Sequence, residues 1–346
     1  MIRRVVKVDS FGNILVVDDE ISDPGKGEIL VKTKYSVISS GTEVSGIKSR
    51  RKLKNPNLKS YIIGYSSSGE VVSVGPGVKG FKEGDRVACM GVGYAVHGTY
   101  GIVPQNLCVH IPDNVSFEEA AFNHLIATSL NAVRRGRVEI GEYVGVVGLG
   151  LIGQFCAQLS YISGAHVVGL DFYTLRREKV LVYGAQRVLD PREENIIDKI
   201  IEFTRGYGLD SGFICYGGKG DETFDLLIKT IHKAPDNHGF GKIVVVGGIK
   251  ASLSFPTFFG NIDVLPSSRT GPGYHDIIWE HGEDYVNLIR WNTKRNLEEI
   301  MCFLEEGRIK VKHLITDTFS LEEAEKAYEK IISNPSKTLG VLLKNF

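Results

Sequence analysis

The run Val144-Gly-Val-Val-Gly-Leu-Gly-Leu-Ile-Gly153 constrains this chain more than any other stretch. An apolar strand pattern gives way to three glycines at G-x-G-x-x-G spacing, Gly148, Gly150 and Gly153. The residues that follow place Ile152, Phe155, Cys156, Leu159 and Ile162 on one helical face. Strand, glycine turn and helix in that register form the signature of a βαβ unit that binds a dinucleotide. Gly148 permits the tight turn out of the strand, Gly150 lets backbone approach a pyrophosphate, and Gly153 lets the helix lie close to the sheet. The N–H groups at the start of the helix then face the anion.

Asp171, 18 residues beyond Gly153, closes the apolar strand Ala165–Leu170. A carboxylate at that strand end accepts hydrogen bonds from the adenosine ribose and repels a 2′-phosphate, which favours NAD over NADP. The expected cofactor site comprises Gly148, Gly150, Leu151, Ile152, Gly153 and Asp171, together with Arg176, Tyr216 and Gly247.

At 346 residues the chain is long enough for about two domains, each with its own core. Its formal net charge is zero, so it lacks the electrostatic footprint of a nucleic-acid or anionic-membrane binder, and small neutral or nucleotide-like ligands are expected. No apolar run approaches the roughly 20 residues of a membrane span, and the N-terminus lacks a secretory pattern, so a soluble cytoplasmic protein is expected. The five cysteines are never closer than 19 positions, which gives neither a disulfide framework nor a C-x-x-C knuckle.

Residues 1 to about 115 read as β-rich, with short alternating runs broken by Asp-Pro-Gly, Gly-Pro-Gly and Glu-Gly-Asp turns, as in a small barrel. Gly69 to Val87 reads as two strands joined by a glycine-rich connection, and basic Lys48 to Lys59 as a solvated loop. Ser116 and Glu119 form a capping-box pattern that starts a helix. Strands at 143–147, 165–171, 186–190, 209–216 and 242–248 then alternate with helical patterns near 152–163, 174–183, 193–205 and 221–232, the mark of a doubly wound parallel sheet. An edge strand is expected at 255–265. The last third holds a loop at 267–274, helices at 295–306 and from the Ser320–Glu323 cap to 332, and a closing strand at 338–343.

End to end, the chain resembles the medium-chain dehydrogenase/reductase superfamily of alcohol and polyol dehydrogenases. The phrases that carry the resemblance are Gly-Val-Lys-Gly-Phe-Lys-Glu-Gly-Asp-Arg-Val87, Ile111-Pro-Asp-Asn-Val-Ser-Phe-Glu-Glu-Ala-Ala121, the nucleotide motif, and Leu314-Ile-Thr-Asp with Phe319-Ser-Leu-Glu-Glu-Ala324. The resemblance implies an α/β protein with a discontinuous GroES-like β-barrel catalytic domain, residues 1–126 and 271–346, and a Rossmann NAD-binding domain, residues 127–270. It also implies an active site in the cleft between them and a homo-oligomer, dimer or tetramer.

Where zinc-dependent members carry Cys-Gly-Thr-Asp this chain has Ser40-Gly-Thr-Glu43, and where they carry Gly-His-Glu it has Gly64-Tyr-Ser66. His124 stands near the third ligand position, and the four clustered cysteines of the structural zinc lobe are missing between Ala88 and Cys108. Zinc favours thiolate and imidazole ligands, so neither a catalytic nor a structural zinc is expected. Val37-Ile-Ser-Ser-Gly-Thr-Glu43, His97, Arg269-Thr-Gly-Pro-Gly-Tyr274 and the stretch from Tyr285 through Arg290 to Leu297 look like a zinc-free branch, the dehydrogenase half of bidomain sugar oxidoreductases.

Without a metal, hydrogen-bonding side chains must handle the substrate oxygen. His97 is the expected acid/base, Tyr65 and Thr42 orient the oxygen, and Glu43 supports them. Ser40, His124, Tyr274 and Arg290 are candidate substrate contacts, with His275 beside them. The expected reaction moves a hydride between NAD and a secondary hydroxyl of a sugar, polyol or cyclitol. A zinc-free enone or quinone reductase and a non-catalytic NAD-binding protein stay open as alternatives at this point.

Overall fold

The glycine turn sits at the middle of a parallel sheet. The computed structural model describes residues 1–253, 260–282 and 289–345. Among these, strands Tyr143–Val147, His166–Leu170, Arg187–Leu189, Ser211–Ile214, Phe240–Val245 and Asn261–Pro266 all pair in parallel. In space they run third, second, first, fourth, fifth, sixth. Every residue of Tyr143–Val147 is buried, as a strand covered on both faces requires. Helices Leu151–Ile162, Thr174–Val182, Ile196–Phe203 and Asp221–Thr230 supply the connections, and Ile200, Phe224 and Leu227 pack with Val168, Leu170, Ile214 and Ile243. The strand order reverses between Tyr143–Val147 and Ser211–Ile214, the place where a doubly wound sheet opens a crevice at its carboxyl ends. The edge strand expected from residue 255 runs over Asn261–Pro266, and residues 254–259 of that expectation lie outside the described residues.

The chain divides into two compact units, Thr128–Arg269, which carries this sheet, and Met1–Ala127 with Thr270–Phe346. In the latter, strands are mainly antiparallel and Glu28–Val37 is the hub. It pairs with Ser66–Val74, with Tyr100–Pro104 along its first half, and with Gly340–Lys344 at its end. Ser66–Val74 pairs in turn with Arg86–Met90, Gly69 opposite Val87, so the expected hairpin is present. A smaller sheet joins Ile2–Val8 to Ile14–Glu20 and Tyr61–Ile62. Val6, Val8, Ile38, Val44 and Ile47 form a core with Leu321, Ala327, Tyr328 and Ile331, so the C-terminal helix Ala324–Ser333 is fastened to the N-terminal strands.

Basic residues 48–59 are not a loop throughout, because Lys48 to Leu53 are the last turns of a helix, Thr42–Leu53. Arg50 donates to the Asp9 carbonyl and lies over the Tyr61 ring, Arg51 pairs with Glu329, and left-handed Lys54 caps the end. Cations in a last turn also suit the helix dipole. Both expected capping boxes form, but Ser116 opens only the short helix Phe117–Ala120, and a second helix, Asn123–Gly136, follows. Among the described residues no helix is long and apolar enough to cross a membrane.

Candidate active site

At the carboxyl end of Tyr143–Val147 the chain turns through Gly148, whose φ of 88° lies in the left-handed region that glycine tolerates. A Cβ on Gly153 would stand 1.9 Å from the Gly148 carbonyl oxygen, so this helix can approach the turn only because residue 153 has no side chain. At Gly150, by contrast, a Cβ would meet nothing within 4 Å. The residue thus caps Leu151–Ile162 beside open space, leaving the first N–H groups to a ligand.

Asp171 is buried at the end of His166–Leu170. Its Oδ2 accepts from the Leu149 N–H at 2.8 Å and its Oδ1 from the Tyr173 N–H at 2.8 Å. Each carboxylate oxygen has a second lone pair for a ribose hydroxyl. Arg176 places a guanidinium nitrogen 3.5 Å from Asp171 Oδ2 and lies over the Tyr173 ring. Tyr216 packs against Gly148, and a Cβ on Gly247 would collide with the Tyr216 carbonyl at 1.9 Å, so both border the switch point. Leu151 is buried and Ile152 partly exposed in the first helical turn. Gln154, which the sequence reading did not single out, donates to the carbonyls of Leu149 and Arg176 and so braces the turn.

The other unit gathers a cluster of hydroxyls, imidazoles and one carboxylate. Strand Glu28–Val37 delivers Ser36, the next residues deliver Ser39 and Ser40, and the helix begins at Thr42 with Glu43 in its first turn. Gly64, with φ of 108°, lets the chain pass so close to His97 that a Cβ there would stand 2.3 Å from the His97 nitrogen. Tyr65 follows directly. Burial, reinforced by the Glu43 charge, holds the Tyr65 phenol above its usual pKa, and the neighbouring Ser39 and Thr42 side chains pull it the other way. Thr42 is exposed and Ser40 and Tyr65 partly so.

His97 has no exposed surface, and both its ring nitrogens are engaged: Nδ1 with Ser36 Oγ at 2.7 Å and Nε2 with Glu43 Oε2 at 3.0 Å. The ring expected as the acid/base thus lies enclosed, with Glu43 and Ser36 on its two nitrogens. Tyr328, from the C-terminal helix, donates a short hydrogen bond to the same Glu43 oxygen. Burial and the Glu43 charge push the Tyr328 hydroxyl well above its usual range, so it is a firm donor. Sequence reasoning missed Tyr328 because it lies 285 positions from Glu43 on what reads as an ordinary amphipathic helix.

His124 is buried, and its Nδ1–H donates to the Tyr65 carbonyl at 2.9 Å. Its ring lies edge-on to Tyr65 at 4.9 Å and to Tyr274 at 6.1 Å. Burial drops its pKa to about 4, which keeps the imidazole neutral near pH 7. The Tyr274 hydroxyl accepts from the Val92 N–H, and its ring stacks on exposed His275 at 3.9 Å. Arg290 is exposed, with its guanidinium 4.9 Å from the Trp291 ring. Tyr285, part of the same expected stretch, lies outside the described residues.

A GroES-like antiparallel unit combined with a doubly wound parallel sheet defines an α/β protein of the dehydrogenase fold class. The sequence model of the alcohol dehydrogenase GroES-like domain matches residues 25–113 and that of the zinc-binding dehydrogenases matches residues 152–279, together more than half of the chain. The chain belongs to the zinc-type alcohol and polyol dehydrogenase-like superfamily, the medium-chain dehydrogenases/reductases. A sorbitol dehydrogenase of Bacillus subtilis is 25% identical over 82% of this chain and 81% of its own length. Among solved structures, the 2R,3R-butanediol dehydrogenase of Bacillus subtilis superposes with a TM-score of 0.79 at 20% identity, covering 99% of this chain and 100% of that one. An Escherichia coli CFT073 alcohol dehydrogenase complexed with NADH gives 0.76 at 20% identity, covering 99% of each chain.

Proposed function

We propose that this protein is a zinc-independent, NAD(H)-dependent dehydrogenase that oxidises a secondary hydroxyl of a sugar, polyol or cyclitol, or reduces the matching ketone. The observation that carries the reading is Ser40 and Tyr65 standing in the sequence where zinc-dependent members carry ligand residues, with the Thr42 hydroxyl beside them. The sorbitol dehydrogenase relative supports the substrate class.

The side chains present do not suit a tetrahedral zinc. Ser40 is a poor ligand, the raised phenol of Tyr65 resists the ionisation a ligand needs, and Glu43 and His97 spend Oε2 and Nε2 on each other. Among the described residues no three His, Cys, Asp or Glu side chains are gathered as a metal would require. The cradle on the other unit suits NAD: open space at Gly150, a close helix at Gly153 and the buried Asp171 carboxylate.

When bound, NAD supplies the hydride acceptor. The side chains of this chain then have to hold the alcohol oxygen and remove its proton. Tyr65 and Thr42 hydrogen bond to that oxygen, and the hydroxyl chain passes the proton to water at exposed Thr42, no member becoming a free base. Such a relay tolerates a phenol with a high pKa. Glu43, held by His97 and Tyr328, fixes the start of the helix that presents Thr42, so His97 acts through Glu43.

Mixing the protein with NAD and a panel of sugars, polyols and cyclitols is expected to generate NADH absorbance. Absence of turnover with every polyol, combined with NADPH-dependent enone reduction, overturns the reading. Protein purified without chelator is expected to hold far less than one zinc per chain and to keep its activity after dialysis against EDTA. A tightly held stoichiometric zinc contradicts the metal-free mechanism.

A further inference from the structure

Gln154 lies near the start of helix Leu151–Ile162 with no exposed surface, and its amide nitrogen donates to two carbonyls, Leu149 at 3.0 Å and Arg176 at 2.8 Å. Two acceptors at one end of the amide fix that end as nitrogen, and both of its hydrogens are spent on them. The amide oxygen is buried without a hydrogen-bond partner. An unpaired buried acceptor is costly, and native interiors satisfy the great majority of such atoms. The worth of a glutamine at this position therefore lies in what its nitrogen joins.

Leu149 sits inside the glycine turn, between Gly148 and Gly150. Its N–H donates to Asp171 Oδ2 at 2.8 Å and its carbonyl accepts from Gln154, so both polar groups of its backbone are held. Arg176, in the helix Thr174–Val182, gives its carbonyl to the same amide nitrogen and places its guanidinium 3.5 Å from Asp171 Oδ2. Leu149, Asp171, Arg176 and Gln154 thus close a circuit. It runs through the turn that suits a pyrophosphate and the strand end that suits the adenosine ribose. We propose that Gln154 is a positioning residue that sets the spacing between these two places, so that a ligand spanning both gains from it and a ligand occupying one does not. The proposal rests on the dinucleotide reading above. Two linked recognition groups reinforce each other only where the protein holds their sites at the span the ligand imposes, and a site held in advance spares the ligand the cost of ordering it. Gln154 acts through Leu149 and Arg176, as its complete burial requires.

The test is calorimetric titration of the parent, Gln154→Met and Gln154→Leu with ADP-ribose, which spans both places, and with adenosine, which reaches only the ribose end. Both variants keep an apolar side chain and lose the N–H groups. The ratio of ADP-ribose affinity to adenosine affinity is expected to fall about tenfold in each, with adenosine affinity close to that of the parent. A ratio within threefold of the parent overturns the proposal. Loss of both ligands in both variants overturns it as well, because it shows that the amide serves the fold, which a spacing role alone would not disturb at the adenosine end. Binding needs no turnover, so a protein that oxidises no polyol still decides the role of Gln154. Titration of the parent with NAD keeps the two readings apart: NAD binding with an unchanged ratio in the variants sinks the role of Gln154 alone, whereas a parent that binds neither NAD nor ADP-ribose sinks both.

Discussion

Tyr65 carries the chemistry in this reading, and its environment dictates what replacing it does. Phenylalanine keeps the ring against His124 and removes the phenolic oxygen. Tyr65→Phe is expected to lower kcat by roughly 10²- to 10⁴-fold, the usual contribution of a positioned proton-transfer group. Loss of the one hydroxyl is expected to change stability by no more than about 1 kcal/mol, read from urea unfolding. On the other unit, Asp171 accepts from two backbone N–H groups, which hold its carboxyl group in place. Under the proposed NAD reading, Asp171→Ser removes the carboxylate proposed to repel a 2′-phosphate and leaves Arg176 beside it. The NAD over NADP ratio of kcat/KM is expected to fall at least tenfold, and an unchanged ratio identifies another group as the discriminator.

Elements explain which of these residues were legible in the sequence. The strand–turn–helix at 143–162 was readable because its glycines answer purely local demands, a positive φ at Gly148 and a close approach at Gly153. Gly153→Ala brings a methyl group within 1.9 Å of the Gly148 carbonyl, so helix Leu151–Ile162 must retreat from the turn. NAD affinity is expected to weaken tenfold or more by calorimetric titration, with the far-ultraviolet circular dichroism retained. The helix Thr42–Leu53 was not legible, because its last turns are rich in Lys and Arg and carry little apolar pattern. Its stability comes from partners far away in sequence, Asp9, Tyr61 and Glu329. The surroundings of His97 were not legible for the same reason. Residue type marked it as titratable, but only the assembled strands show that Ser36 and Glu43 enclose it.

At the scale of the molecule, the unit Met1–Ala127 with Thr270–Phe346 is closed by contacts between its two distant segments, and His124 sits at one of these closures between Tyr65 and Tyr274. The stability of that unit is therefore tied to the protonation of one buried imidazole. Burial lowers the His124 pKa from 6.5 to about 4, only partly offset by the Tyr65 carbonyl and the Glu43 charge. The unfolded chain accordingly binds the proton first as pH falls, and folding loses free energy between pH 6.5 and about 4. Above that window the stabilising difference is fully present. Below it both states are protonated and the loss is complete, about 3 kcal/mol for a shift of this size. His124→Gln retains a side-chain N–H for the Tyr65 carbonyl but does not titrate. Urea unfolding from pH 7 to pH 4.5 is expected to show a steep loss of stability in the parent and a flatter profile in the variant. Parallel profiles mean that the imidazole is solvated or charged in the folded protein, and that the closure around Tyr65 and Tyr274 is looser than the geometry shows.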